Sequence, residues 1–268
     1  SADGVTIRGN NIHYNGKDGV RGNGRNMLIE YNTMYDQFHT DTHQDALDLA
    51  GSNYNIVIRY NTISDFTQLI YLPLHDEPNL TLENIEIYGN ILYTNRYWTV
   101  RGGEAPGIFI DTGTQATSRA QNIRIHSNTF AWLGYNAIML YNQVSDVTIR
   151  NNIFYQSGID IPSSIPNVTS NYNLFYTQPN APSGPGSETA IPYQNEGPNS
   201  LRNVDPQFVN YDFFTNFDFR LKSTSPAIDK GALGTITVPA NFTDLWGSSR
   251  PQGTAFDMGA YEFVGAVQ

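Results

Sequence analysis

Seven segments of the chain repeat one alternation of apolar and polar positions. They are DGVTIRGNNI (3–12), RNMLIEYNTM (25–34), YNIVIRYNTI (54–63), ENIEIYGNIL (83–92), QNIRIHSNTF (121–130), SDVTIRNNIF (144–153) and PNVTSNYNLF (166–175). A period of two marks a half-buried strand, and each segment closes on Asn, one variable residue and an apolar residue. The shared asparagines are Asn10, Asn32, Asn61, Asn90, Asn128, Asn152 and Asn173, separated by 22, 29, 29, 38, 24 and 21 residues. Coils of similar size carrying insertions of different length produce that spacing. Strands this short need partners on both edges, and stacking coil on coil supplies them every ~4.8 Å. An asparagine at the same turn of each coil tolerates a left-handed bend, and stacked amides form a ladder. The pattern predicts an all-β parallel solenoid of about seven coils.

Each coil also carries a second strand upstream of the Asn-bearing one: DGVRGN (18–23), DALDLAG (45–51), LIYLPL (69–74), GIFIDTG (107–113), AIMLYN (137–142) and GIDIP (158–162). With Val20, Leu47 and Leu49, Ile70 and Leu72, Ile108 and Ile110, Ile138 and Leu140, Ile159 and Ile161 inward, alternate residues face out. One outward row then reads Arg21, Asp48, Tyr71, Phe109, Met139, Asp160, and the next Asn23, Ala50, Pro73, Asp111, Tyr141. A strip running from charged to aromatic suits a sugar chain, whose rings stack on aromatics while hydroxyls bond to carboxylates and Arg.

Over residues 3 to 176 the repeat resembles the right-handed parallel β-helix superfamily of pectate lyases and related proteins. The resemblance implies a polysaccharide partner and a secreted protein. It leaves activity open, because the superfamily holds lyases, glycoside hydrolases, epimerases, tailspikes and non-catalytic surface proteins. Residues 1–176 are expected to form the solenoid and the Pro/Gly/Ser-rich stretch 177–200 a loop. The tail 201–268, with VDPQFVN (204–210), DFRLKSTSPAIDKG (218–231) and DMGAYEF (257–263), resembles the closing segment of secreted bacterial β-helix proteins. Its expected task is to cover the last coils, with Asp205, Asp229 and Asp257 as turn formers. The first coil shows no matching cap, so an N-terminal domain, a removed segment or self-association is expected there.

Composition narrows the partners. The net charge is −10, with three lysines (Lys17, Lys222, Lys230) and no cysteine. Nucleic acid is excluded as a partner, since phosphate binding needs clustered Lys and Arg. A polyanionic substrate needs a bound cation or a local Arg patch. Disulfides and thiol chemistry are excluded, and no apolar run reaches the ~18 residues of a membrane span.

Candidate chemistry gathers on one flank. The insertion DQFHTDTHQD (36–45) leads into Asp48, coil 3 leaves its strand through His75, Asp76 and Glu77, and the long stretch 96–118 carries Arg101, Glu104 and Asp111. Asp41, Asp45, Asp48, Asp76 and Glu77 are hard oxygen ligands of the kind Ca²⁺ takes. Proton abstraction at C5 of a uronate needs a tuned base: His43, His39, or Tyr71 if Arg21 or Arg101 lowers its pKa. Hydrolysis needs two carboxylates, and Asp48 and Asp111, two coils apart, lie roughly 9.6 Å apart along the axis, near the inverting separation. His39, His75, Phe109, Asp111 and Tyr141 are the expected substrate-binding residues. QDALDLAG is similar to the Asp-Gly-Leu-x-Asp-Ile strand of pectate lyases, but Ala46 replaces the glycine and no Arg-x-Pro-x-x-Arg segment follows. The resulting expectation is a polysaccharide-cleaving enzyme, elimination slightly ahead of hydrolysis, with a non-catalytic surface or assembly protein as the alternative.

Overall fold

The computed structural model of the chain describes residues 2–35, 44–75, 77–94, 106–179, 189–211, 217–233 and 242–265. It is a right-handed parallel β-helix of three sheets. Sheet 1 holds the Asn-preceding strands, among them Gly24–Glu30, Asn53–Arg59, Thr81–Tyr88, Arg119–His126 and Val144–Arg150. Sheet 2 holds the three-residue strands that follow each asparagine, from Asn11–His13 to Leu174–Tyr176, and ends on Leu201–Arg202. Sheet 3 holds Val20–Arg21, Asp45–Asp48, Gln68–Pro73, Ile108–Asp111, Ile138–Tyr141 and Ile159–Asp160. The inward isoleucines align one per coil: Ile29 with Ile58, Ile58 with Ile87, Ile87 with Ile125, and Ile125 with Ile149. All five are fully buried. Phe130, Phe154 and Phe175, two residues past their asparagines, stack in a column with centroids 5.0 and 4.7 Å apart. A one-residue slip would expose every one of these side chains, so burial holds the register.

The seven asparagines form a continuous ladder. Each amide donates to the next carbonyl oxygen, from Asn10 to Asn32 at 2.9 Å through to Asn152 and Asn173 at 3.1 Å. The left-handed residue is not the asparagine but its predecessor: Gly9, Tyr31, Tyr60, Gly89, Ser127, Asn151 and Tyr172 all have φ between 53° and 67°. That bend turns the chain between sheets 1 and 2, and the asparagine satisfies the polar groups it leaves inside.

A second amide ladder runs along the outside of sheet 1. Asn26, Asn55, Asn84, Asn122, Asp146 and Asn167, each six residues before a ladder asparagine, have φ of 53–58°. Asn26 donates to Asp3, Asn55 to Asn26, Asn84 to Asn55 and Asn122 to Asn84 at 2.5–2.9 Å, and Asn167 to Asp146 at 2.9 Å. Short amides and carboxylates tolerate this backbone conformation better than larger side chains do.

The C-terminal end of the solenoid is closed by residues 189–202. Ala190 and Tyr193 are buried in the main core. Glu196 ends the inner ladder: its carboxylate accepts from the Asn173 amide at 3.0 Å and from Ser170 and Ser200. The tail packs along the side of the solenoid's later coils. The hairpin of Phe208–Asn210 and Asp218–Leu221 packs on the outer face of sheet 2, against Ala131, Trp132, Ile153, Tyr155 and Leu174. Tyr60 donates to the Thr243 carbonyl at 2.8 Å, and the Ala260 amide donates to Thr129 Oγ1 at 3.0 Å. The outer face of sheet 2 is apolar, and this packing removes it from water. Within the tail, buried Arg250 donates to Glu262 at 2.8 Å and to the carbonyls of Gly259 and Asp257. Asp205, Asp229 and Asp257 accept backbone amides of Gln207, Ala255 and Asp229.

Candidate functional site

The outward rows of sheet 3 run in the order that alternation predicts. Arg21 pairs with Asp48, Asp48 with Tyr71, Tyr71 with Phe109, Phe109 with Met139, and Met139 with Asp160. Pro73 pairs with Asp111, and Asp111 with Tyr141.

The charged end is built around Arg21. Its Nε lies 3.1 Å from Asp48 Oδ2, and its Nη1 lies 3.4 Å from Asp18 Oδ2. Asp48 is 5% exposed, and its Oδ1 is buried without a hydrogen-bond partner. Burial is the main reason its carboxyl titrates above the ordinary aspartate range. Arg21 opposes that shift, and Asp45 and Asp18 reinforce it. Asp18 was not among the residues expected here. It lies one coil below Asp45 and accepts the Asp45 amide at 3.3 Å. Aligning DGVR with DALD would have revealed it, because Val20 pairs with Leu47 and Arg21 with Asp48.

The middle of the face is aromatic. Tyr71 and Phe109 stack at 5.2 Å between centroids, and Tyr141 meets Phe109 edge-on at 5.7 Å. Tyr141 donates its hydroxyl to Asp160. Asp111 accepts from Asn142 at 2.6 Å and from the Gly113 amide at 2.9 Å, which fixes its carboxylate beside the aromatic strip.

The described surroundings of Tyr71 raise its pKa, while Arg101, one of the two cations expected to lower it, lies outside the described residues. Burial, with Asp111, Asp45 and Asp48 around it, pushes its hydroxyl up to about 12. Arg21 is one coil further away and already engaged by two carboxylates. His75 lies at the edge of the face, exposed, with its ring 6.4 Å from that of Tyr71. Glu77 is exposed and contributes its carbonyl to Ser118. His39, Asp41, His43, Asp76 and Arg101 lie outside the described residues.

Of the five carboxylates expected to hold Ca²⁺, Asp45, Asp48 and Glu77 are among the described residues. Arg21 already provides the positive charge between Asp18 and Asp48, and Glu77 stands apart in solvent. Among the described residues no group of three or more His, Cys, Asp or Glu is arranged to hold a metal. His126, fully buried, stacks on Tyr88 at 4.8 Å, and His13 stacks on Tyr35 at 5.1 Å. Both belong to the packing of the solenoid. Among the described residues no helix is long and apolar enough to cross a membrane.

The family described as "Right handed beta helix region" matches residues 1–180. Pectate lyase Pel9A is similar in structure at a TM-score of 0.48 and 16% identity, covering 98% of this chain and 66% of that one. XylC, in a complex with xylose, is similar at a TM-score of 0.42 and 13% identity, covering 77% of this chain and 39% of that one. The chain thus spans less than two thirds of either structure. No curated protein sequence matches.

Proposed function

The chain belongs to the right-handed β-helix family, and on that premise we propose that the outward face of sheet 3 binds a polysaccharide and hydrolyses it. The observation that carries this reading is Asp48. It is a carboxyl raised above its ordinary range, held by Arg21 and followed along one row by the Tyr71–Phe109 stack. A carboxyl whose pKa burial raises is the kind a general acid uses. Asp48 donates that proton to the glycosidic oxygen as the bond from the sugar carbon to that oxygen breaks. Asp111, two coils on, takes a proton from the water whose oxygen attacks the same carbon. Two coils set them roughly 9.6 Å apart along the axis and the register adds two residues along the strand, so the side chains must reach toward each other to approach the ~6.5–9.5 Å of an inverting pair. Tyr71, Phe109 and Tyr141 supply the surface on which sugar rings stack.

In this reading the charge of the described face favours hydrolysis over elimination. Asp18, Asp45, Asp48, Asp111 and Asp160 line it, and among the described residues Arg21 is the guanidinium that faces them. Repulsion opposes a polyuronate there, and Tyr71 titrates too high to remove a proton near neutrality. A secreted setting goes with this reading.

A second reading, glycan binding without cleavage, is favoured by one fact: Asp48 is only 5% exposed, while Tyr71 and Phe109 are half-buried. One assay separates the readings. Reducing ends are measured across neutral and uronate-containing polysaccharides, with ultraviolet absorbance to detect unsaturated products, for the wild type, Asp48→Asn and Asp111→Asn. Hydrolysis gives reducing ends without absorbance, and both variants lose them. Absorbance signals elimination instead, and binding without new ends signals the second reading. Chelator-sensitive activity with titratable Ca²⁺ would favour a cation held with Asp41 and Asp76 over Arg21 as the positive charge.

A further inference from the structure

A large aromatic side chain stands in solvent on the closing segment, on the sheet 2 side rather than on sheet 3. Trp246 is 64% exposed. Flexibility does not account for that exposure, because the turn that carries it is tightly bonded. Asp244 Oδ1 accepts the amides of Trp246 at 2.9 Å and Ser248 at 2.8 Å, and Asp244 Oδ2 accepts that of Glu262 at 3.1 Å. The indole meets the Tyr261 ring nearly at right angles, 5.6 Å between centroids. Two cavities of about 460 and 270 Å³ share Trp246 and Tyr261 in their walls. The larger continues over Tyr93 and Phe217, which meet edge-on at 5.2 Å.

The polar groups of this groove are fixed and electrically matched. Arg220 sits 4.5 Å over the Trp246 ring, and its Nε lies 2.8 and 3.0 Å from the two Asp218 oxygens. Both residues remain partly exposed at the groove wall. Glu262 is neutralised by Arg250, and Asp244 is engaged by backbone amides. A groove of this kind offers flat aromatic faces to the C–H faces of a ring, and guanidinium and carboxylate edges to its hydroxyls. Its paired charges favour an uncharged ligand.

We propose that this groove is a second carbohydrate site, which takes a neutral glycan chain and is independent of any chemistry on sheet 3. Trp246 is the stacking platform, Tyr261 the side wall, and Asp218 with Arg220 the hydroxyl-bonding edge. Such a site holds a polymer on the side of the solenoid away from the Asp48 face.

The test is affinity electrophoresis of the intact chain through gels containing xylan, mixed-linkage glucan, mannan or polygalacturonate. The wild type is expected to be retarded by at least one neutral polymer. Trp246→Ala is expected to weaken that interaction about tenfold, the loss of one stacked ring, while its circular dichroism stays unchanged. Tyr14→Ala, which removes another exposed aromatic ring (67% exposed) that belongs to neither face, is expected to be retarded like the wild type. The proposal is overturned if no neutral polymer retards the wild type, if only polygalacturonate does, or if Trp246→Ala migrates like the wild type. Should Trp246→Ala misfold, wild-type tryptophan emission decides: a blue shift with the retarding glycan supports the site, and an unchanged spectrum overturns it.

Discussion

Arg21 and Asp48 are joined across adjacent coils, guanidinium to carboxylate at 3.1 Å, and Asp48 nevertheless titrates above an ordinary aspartate. Burial outweighs the pair. Arg21 therefore limits the shift, and its removal has a definite sign. Arg21→Ala is expected to raise the Asp48 pKa further, so the alkaline limb of the kcat/KM profile moves to higher pH. A profile for wild type and variant checks this, and a downward move would refute Asp48 as the proton donor.

Tyr71 and Phe109 are assigned to binding rather than proton transfer. Tyr71→Phe is expected to keep kcat within a few-fold, because its hydroxyl, pushed up to about 12, holds its proton at working pH. Phe109→Ala is expected to raise KM more than it lowers kcat. Loss of kcat in Tyr71→Phe would return Tyr71 to the role of base.

Glu196 ends the amide ladder where no further asparagine follows. Its carboxylate collects donors from Asn173, Ser170 and Ser200 in a buried site. Glu196→Ala leaves these donors unsatisfied and is expected to cost about 3 kcal/mol. Urea denaturation gives the loss, and hydrogen exchange is expected to show it concentrated in Val168–Asn171 and Leu174–Tyr176.

On the outer ladder, backbone conformation matters more than the amide bond. Asn84 has φ of 58° and its amide bonds are exposed. Asn84→Gly is expected to change stability little, whereas Asn84→Val is expected to cost about 1–2 kcal/mol from backbone strain. Thermal melts of the two variants measure the difference.

Asp257 links the tail to pH. Burial, and then Glu262, push its carboxyl up to about 6. The folded state thus prefers the protonated form. The corresponding stability is fully present below the ordinary aspartate range and is lost as pH rises through about 6. Side-chain carbon NMR is expected to place the midpoint near 6, and thermal melts are expected to show tail unfolding becoming easier from pH 4 to 7.

How far the sequence reached is clearest residue by residue. The ladder from Asn10 to Asn173 was legible because a buried amide at every turn leaves a fixed letter in every repeat. Arg21, Asp48, Tyr71 and Phe109 were legible as one row for a similar reason: strand alternation has a period of two, and parallel stacking carries each residue onto its equivalent. The outer ladder was visible in the same segments, as the Asn six places earlier, but the structure identified it through its positive φ values. The pKa of Tyr71 was not legible. It depends on burial and on carboxylates from the coils on either side, Asp111 from one and Asp45 and Asp48 from the other.

Local periodicity alone thus determined the sheets, the inward core and the order of the outward rows, because each follows from a repeat a few residues long. Only the tertiary structure decided what lies across those rows and at their ends. Glu196 closes a ladder begun at Asn10, the tail packs along sheet 2, and Trp246 is held in solvent beside Tyr261. These contacts join residues with no shared repeat, and packing rather than pattern selects them.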